Sequence, residues 1–116
     1  MVDNFITLPT VKQGDTWTFV FTFKNKTTPI DLTECSARMQ IRNKRTKQLY
    51  AETSTANDTI TIDGLAGKVS VIFPAELTTL VPAGSHLSDV EITFPGTGYV
   101  MSSQTVQIVV EEDITE

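Results

Sequence analysis

One cysteine, one histidine and one tryptophan in 116 residues leave few groups for chemistry. The single Cys35 excludes an internal disulfide, and Cys35 with His86 cannot assemble a Cys/His zinc site. No D-x-D-x-D-G run offers a calcium loop. G-x-G-x-x-G and G-x-x-x-x-G-K-[ST] are both missing, so no loop is built to cradle phosphate. No apolar run approaches the length of a membrane span, which argues against membrane insertion. The N-terminus MVDNFITLPT lacks the charged and apolar regions of a secretion signal, so synthesis in the cytoplasm is expected.

Positive charge is also scarce. Nine Lys and Arg face 14 Asp and Glu, a net charge of −5, which argues against nucleic acid as a partner. The charges are unevenly placed. Arg38, Arg42, Lys44, Arg45 and Lys47 fall close together, while Glu111, Glu112, Asp113 and Glu116 crowd the end. A candidate interface therefore comprises Arg42, Lys44, Arg45 and Lys47 on one side and Glu111 and Glu112 on the other, pairing head to tail between copies. The competing reading is a solvated hairpin tip and a frayed terminus.

What the chain does have is alternation. Trp17, Phe19, Phe21 and Phe23 share one parity, with Thr16, Thr18, Val20 and Thr22 on the other. The same period of two runs through Cys35, Ala37, Met39 and Ile41, then Ile60 and Ile62, then Val69, Val71 and Phe73. It continues in Val90, Ile92 and Phe94, and in Val106, Ile108 and Val110. "KNKTTP", "RNKRTK", "TAND", "DGLAG", "VPAG" and "PGTG" punctuate these runs as turns. Residues 35–42 and 48–53 read as a hairpin, whereas 24–34 is long enough to cross between sheets. "PAELTTLVPAG" reads as one helical turn near 75–80, with Leu77 and Leu80 spaced to plug the core. The expected fold is all-β: an immunoglobulin-like antiparallel β-sandwich of about seven or eight strands. A small closed barrel is the alternative. Residues 1–116 are expected to form a single domain with an extended N-terminal segment and a short acidic C-terminal tail.

The aromatic run could be a stacking platform or a core wall. Three of its four members are Phe, which has no polar handle, and its opposite face is mostly Thr. It reads as a wall, buried with Met39, Ile41, Val71, Phe73, Val90, Ile92 and Ile108. Any Ser-His-Asp arrangement must run through His86, yet Ser85, Ser88 and Asp89 do not converge with it on a strand. No G-x-S-x-G elbow is present, and His86 reads as an ordinary strand-edge residue. Cys35 reads as a buried, inert thiol. The expectation is a non-enzyme with no catalytic residue, no metal and no cofactor.

Several phrases, in order, carry a resemblance: "KQGDTWTFVFTF", "TPIDLTECSARMQIRNK", "TITIDGLAGKVSVIF", "AELTTLVPAG", "DVEITF" and "VQIVV". Together they cover nearly the whole chain. In them the sequence resembles small bacteriophage structural proteins related to the N-terminal domain of phage baseplate upper proteins. Such sequences commonly carry Gly after the "DLT" phrase, where Glu34 stands here, and Tyr near His86. The resemblance implies a non-enzymatic component of a virion, in a tail, baseplate or neck, made in the host cytoplasm. Its partners would be other virion structural proteins or copies of itself in a ring or trimer. A glycan- or host-surface-binding module of an adhesion device is the alternative, with Tyr50, Tyr99 and Phe5 the aromatics left to serve it. Capsid decoration is a third.

Overall fold

The computed structural model describes residues 6–112. Twelve strands and one helical turn follow in order. They are β1 (Ile6–Thr7), β2 (Val11–Lys12), β3 (Trp17–Thr22), β4 (Lys24–Asn25), β5 (Thr28–Pro29), β6 (Ser36–Asn43) and β7 (Leu49–Ser54). After these come β8 (Ile60–Asp63), β9 (Lys68–Phe73), α1 (Ala75–Thr78), β10 (Gly84–Thr93), β11 (Val100–Ser102) and β12 (Val106–Glu111). The seven with four residues or more (β3, β6, β7, β8, β9, β10 and β12) carry the architecture.

They form a sandwich. The large sheet has the order β1-β12-β10-β6-β7, with β11 added beside β10 and β2 beside β12. The small sheet has the order β3-β9-β8, and β4 with β5 makes a separate hairpin in the crossover. The main ladders are antiparallel, and the β6–β7 hairpin has a bulge at Ile41/Arg42. The N-terminal segment adds two short parallel pairings: Ile6 opposite Val106, and Val11 opposite Val110. It thus lies on its own sheet, where it covers the β12 edge that would otherwise leave backbone groups unpaired.

The alternation decides which face is inside. Trp17, Phe19, Val69, Val71 and Phe73 line the small sheet's inner face, and Met39, Ile41, Val90, Ile92 and Ile108 line the large sheet's. The ring of Phe73 lies 6.0 Å from that of Trp17 and 6.2 Å from that of Phe19, both inclined, an arrangement aromatic quadrupoles favour. Burial of the indole is accommodated because Trp17 Nε1 donates to the Lys12 carbonyl at 2.7 Å. The wall reading therefore holds, with one exception. Phe21 is only half-buried, because it stands on an edge strand over a cleft of 470 Å³ that the two sheets leave open.

The helical turn begins after Pro74, as its sequence implies, but the plug is different. Leu80 is exposed and Leu77 is partly buried, while Thr78 and Val81 are fully enclosed. Thr78 wins the inner position through hydrogen bonds: its hydroxyl donates to the Asp15 carbonyl and accepts from the Gly14 amide. The turn at residues 64–67 needs its glycines. Gly67 has φ +66°, and a Cβ there would lie 2.6 Å from the Phe23 carbonyl oxygen; one on Gly64 would lie 2.8 Å from the Thr33 backbone. Phe23 in turn donates its amide to the Gly67 carbonyl, so the turn is pinned directly under the crossover.

Candidate functional site

The residues most able to carry chemistry are held apart or enclosed. His86 is not at a strand edge. It occupies β10, between β12 and β6, and is 4% exposed. Its Nε2 meets the Pro82 carbonyl at 2.6 Å and its ring stands edge-on to Tyr50 at 5.2 Å. The Ser88 hydroxyl is turned away to the Gln40 carbonyl, and Asp89 points to the opposite face. Cys35 is half-buried rather than enclosed, and burial, then the Asp31 charge, push its thiol above the usual range. Among the described residues no three of His, Cys, Asp and Glu gather closely enough to hold a metal.

The sequence-predicted interface residues gather at one end of the large sheet. Strands β6 and β12 both run antiparallel to β10, so they run the same way. The β6–β7 turn and the end of β12 therefore leave the sheet together, on either side of β10. Lys44 Nζ reaches Gln107 Oε1 at 3.1 Å across that gap. Much of the basic charge is already engaged. Arg42 donates to Gln40 and to the Lys47 carbonyl, and Lys47 Nζ to the Lys44 carbonyl. Arg38, near the start of β6, pairs with Glu91 at 2.8 Å and Glu52 at 3.7 Å. Arg45 is exposed and is held in the turn by its backbone, bonded to Asn43. Glu111 and Glu112 are exposed, whereas Asp113 and Glu116 lie outside the described residues.

Two surfaces remain that the charge pattern did not single out. The first is the free edge of β3. The bond from Phe23 to Gly67 sets the ladder's parity, so the odd residues of β3 bond β9. Thr18, Val20 and Thr22 consequently direct their amides and carbonyls away from it, and no described strand pairs with that edge. Val20 is 64% exposed there. Only the position of β3 at the end of its sheet reveals this edge; alternation alone does not distinguish an edge strand from a central one.

The second surface is the corner around Tyr99. Its loop closes through the Phe94 amide on the Tyr99 carbonyl at 2.9 Å, with Gly96 and Gly98 both at positive φ. The exposed Tyr99 ring leans on Phe94 at 5.6 Å. Tyr50, the other aromatic left over by the sequence, is not presented. Its hydroxyl accepts from Asn43 and its ring covers His86. Phe5 lies outside the described residues.

No protein-family model matches the chain, and no curated protein matches it in sequence. Among solved structures the sandwich is similar to the N-terminal domain of phage TP901-1 ORF48, with a TM-score of 0.62 at 12% identity. That likeness spans 93% of this chain and 85% of the other. The chain is also similar to CopC from Methylosinus trichosporium OB3b, with a TM-score of 0.50 at 10% identity, over 97% and 88% of the two chains. At these identities the likeness is one of fold.

Proposed function

We infer that the chain is a non-enzymatic structural component of a bacteriophage virion, acting by docking on copies of itself or on other virion proteins. The observation that carries this reading is the fold-wide likeness to a phage protein's N-terminal domain, combined with the ordered phrases that resemble the baseplate group. The surface supports it. The β3 edge offers backbone groups that no described strand pairs, of the kind a neighbour's strand can complete. The charged corners suit a ring in which all copies point the same way. Acidic Glu111 and Glu112 lie on the β12 side of the sheet, and Arg45 on the β6–β7 side, so lateral neighbours would bring opposite signs together.

Mass spectrometry and immunolabelling of purified particles test the reading. A fixed copy number per virion at a tail, baseplate or neck position is the expected result. Absence from particles, with the protein remaining in the lysate, would overturn it. Sedimentation of the isolated protein then separates the two modes of docking. Oligomers that loosen above about 0.15 M salt, where screening shortens below about 8 Å, place the charged corners in the contact.

A further inference from the structure

The Tyr99 corner has the parts of a small binding site, and docking through the β3 edge or the charged end uses none of them. A shallow concavity of 610 Å³ is lined by Asp31, Thr33, Phe94, Pro95, Thr97 and Tyr99. The geometry points to a saccharide site, one that takes a neutral pyranose.

Three features select that ligand. First, Tyr99 keeps 63% of its surface exposed although Phe94 beside it offers an apolar resting place. A flat ring held half-free in this way is a surface for the C–H face of a sugar, and its hydroxyl adds a polar tip. Second, the loop that carries the ring is preorganised. The Phe94 amide, the Thr97 amide and the Tyr99 amide are all bonded within the loop, to the Tyr99 carbonyl, the Pro95 carbonyl and the Thr97 hydroxyl. Little entropy would be lost in fixing it on a ligand.

Third, Asp31 stands in the same concavity as an oriented acceptor. Its Oδ1 takes both the Thr33 amide, at 2.9 Å, and the Thr33 hydroxyl. The hydroxyl first, and then the amide, hold its carboxyl below the usual range, so it stays ionised at neutral pH. Oδ2 has no partner among the described residues and is available to sugar hydroxyls, which donate to it. An aromatic face beside a fixed carboxylate matches the two sides of a pyranose, one apolar and one ringed with hydroxyls. The same carboxylate, on a chain of net charge −5, repels acidic sugars.

Titration of the full chain with the methyl glycosides of glucose, galactose, rhamnose and N-acetylglucosamine, followed by amide NMR, tests the site. Saturable shifts confined to residues 31–33 and 94–99 are expected for at least one glycoside, with Kd on the order of 1 mM. Tyr99→Ala should weaken binding about tenfold, while Tyr99→Phe retains most of it. Asp31→Asn should also weaken it, because an amide is a poorer acceptor for two hydroxyls. Dispersed spectra of each variant confirm that the fold is retained. Four glycosides without a saturable shift would overturn the proposal, as would affinity indifferent to Tyr99→Ala or to Asp31→Asn. Tighter binding of a sialic acid than of any neutral glycoside would overturn the choice of ligand.

Discussion

The two inner faces of the sandwich solve the same packing problem with different residues. On the small sheet the enclosed side chains are all apolar: Trp17, Phe19, Ile60, Val69, Val71 and Phe73. The large sheet supplies Met39, Ile41, Val90, Ile92 and Ile108 but also encloses Thr53, His86 and Ser88. Of these, Ser88 is bonded to the Gln40 carbonyl, whereas Thr53 Oγ1 and His86 Nδ1 are buried without a hydrogen-bond partner among the described residues. The small sheet has only three strands and sets its large rings, Trp17, Phe19 and Phe73, against the core. The large sheet has surplus breadth and tolerates polar groups toward one end. The polar side chains enclosed on the two sheets therefore all belong to the broad side, and the large rings to the narrow one.

Substitutions can break that contrast. Phe73→Ala removes the ring that both Trp17 and Phe19 contact and should cost about 3–5 kcal/mol in chemical denaturation. Ile92→Ala on the broad side should cost less by the same measurement, and a loss equal to that of Phe73→Ala would remove the contrast. Gly67→Ala places a Cβ against the Phe23 and Ile30 carbonyls at a left-handed φ and should cost about 2–3 kcal/mol by the same measurement. The broad side should respond the other way. Thr53→Val exchanges a buried, unpartnered hydroxyl for a methyl of similar shape and should stabilise by about 1 kcal/mol.

Smaller effects sharpen the picture. Glu34 adopts φ +67°, a conformation that costs a residue with a Cβ and suits glycine. Glu34→Gly should raise stability by about 0.5–1 kcal/mol in thermal unfolding. The smallest effect is at Asp89, on the outer face of the large sheet. Loss of hydration, then the Glu91 charge, push its carboxyl above the usual range against the opposing pull of Arg38. The folded state therefore holds the proton more tightly than the unfolded state. Its contribution to stability is present at low pH and is lost as pH rises from the ordinary aspartate value through the raised one. Asp89→Asn should flatten that slope in denaturation curves taken across the acid range, and a slope unchanged from the native protein would reassign it.

Much of this was legible beforehand where one local pattern suffices. Period-two alternation places Trp17, Phe19, Met39, Ile41, Val71, Phe73, Val90, Ile92 and Ile108 inside, because a strand offers only two faces. The gap between 23 and 35 marks a crossover, since it exceeds a tight hairpin. Misplacements occur where neighbours compete. Phe21 has the right parity but stands at an edge, and Leu80 lost its inner place to Thr78 and Val81. His86 was expected at an edge because sequence reveals a strand's start but not its neighbours; pairing on both sides encloses it.

The amino-acid sequence by itself determined that this chain folds as strands in two layers around an aromatic wall, with its turns where Gly, Asn and Pro allow them. Those are outcomes of short-range sterics and of the two faces of a pleated strand, and they need no distant partner. Only the tertiary structure decided which strands are edges, that the basic turn and acidic end emerge together, and that Asp31 shares a concavity with Tyr99. Each of these depends on strand order and on the relative direction of segments far apart in the chain. The free energy that selects them comes from burying whole faces against each other, a sum over the sandwich that no single segment contains.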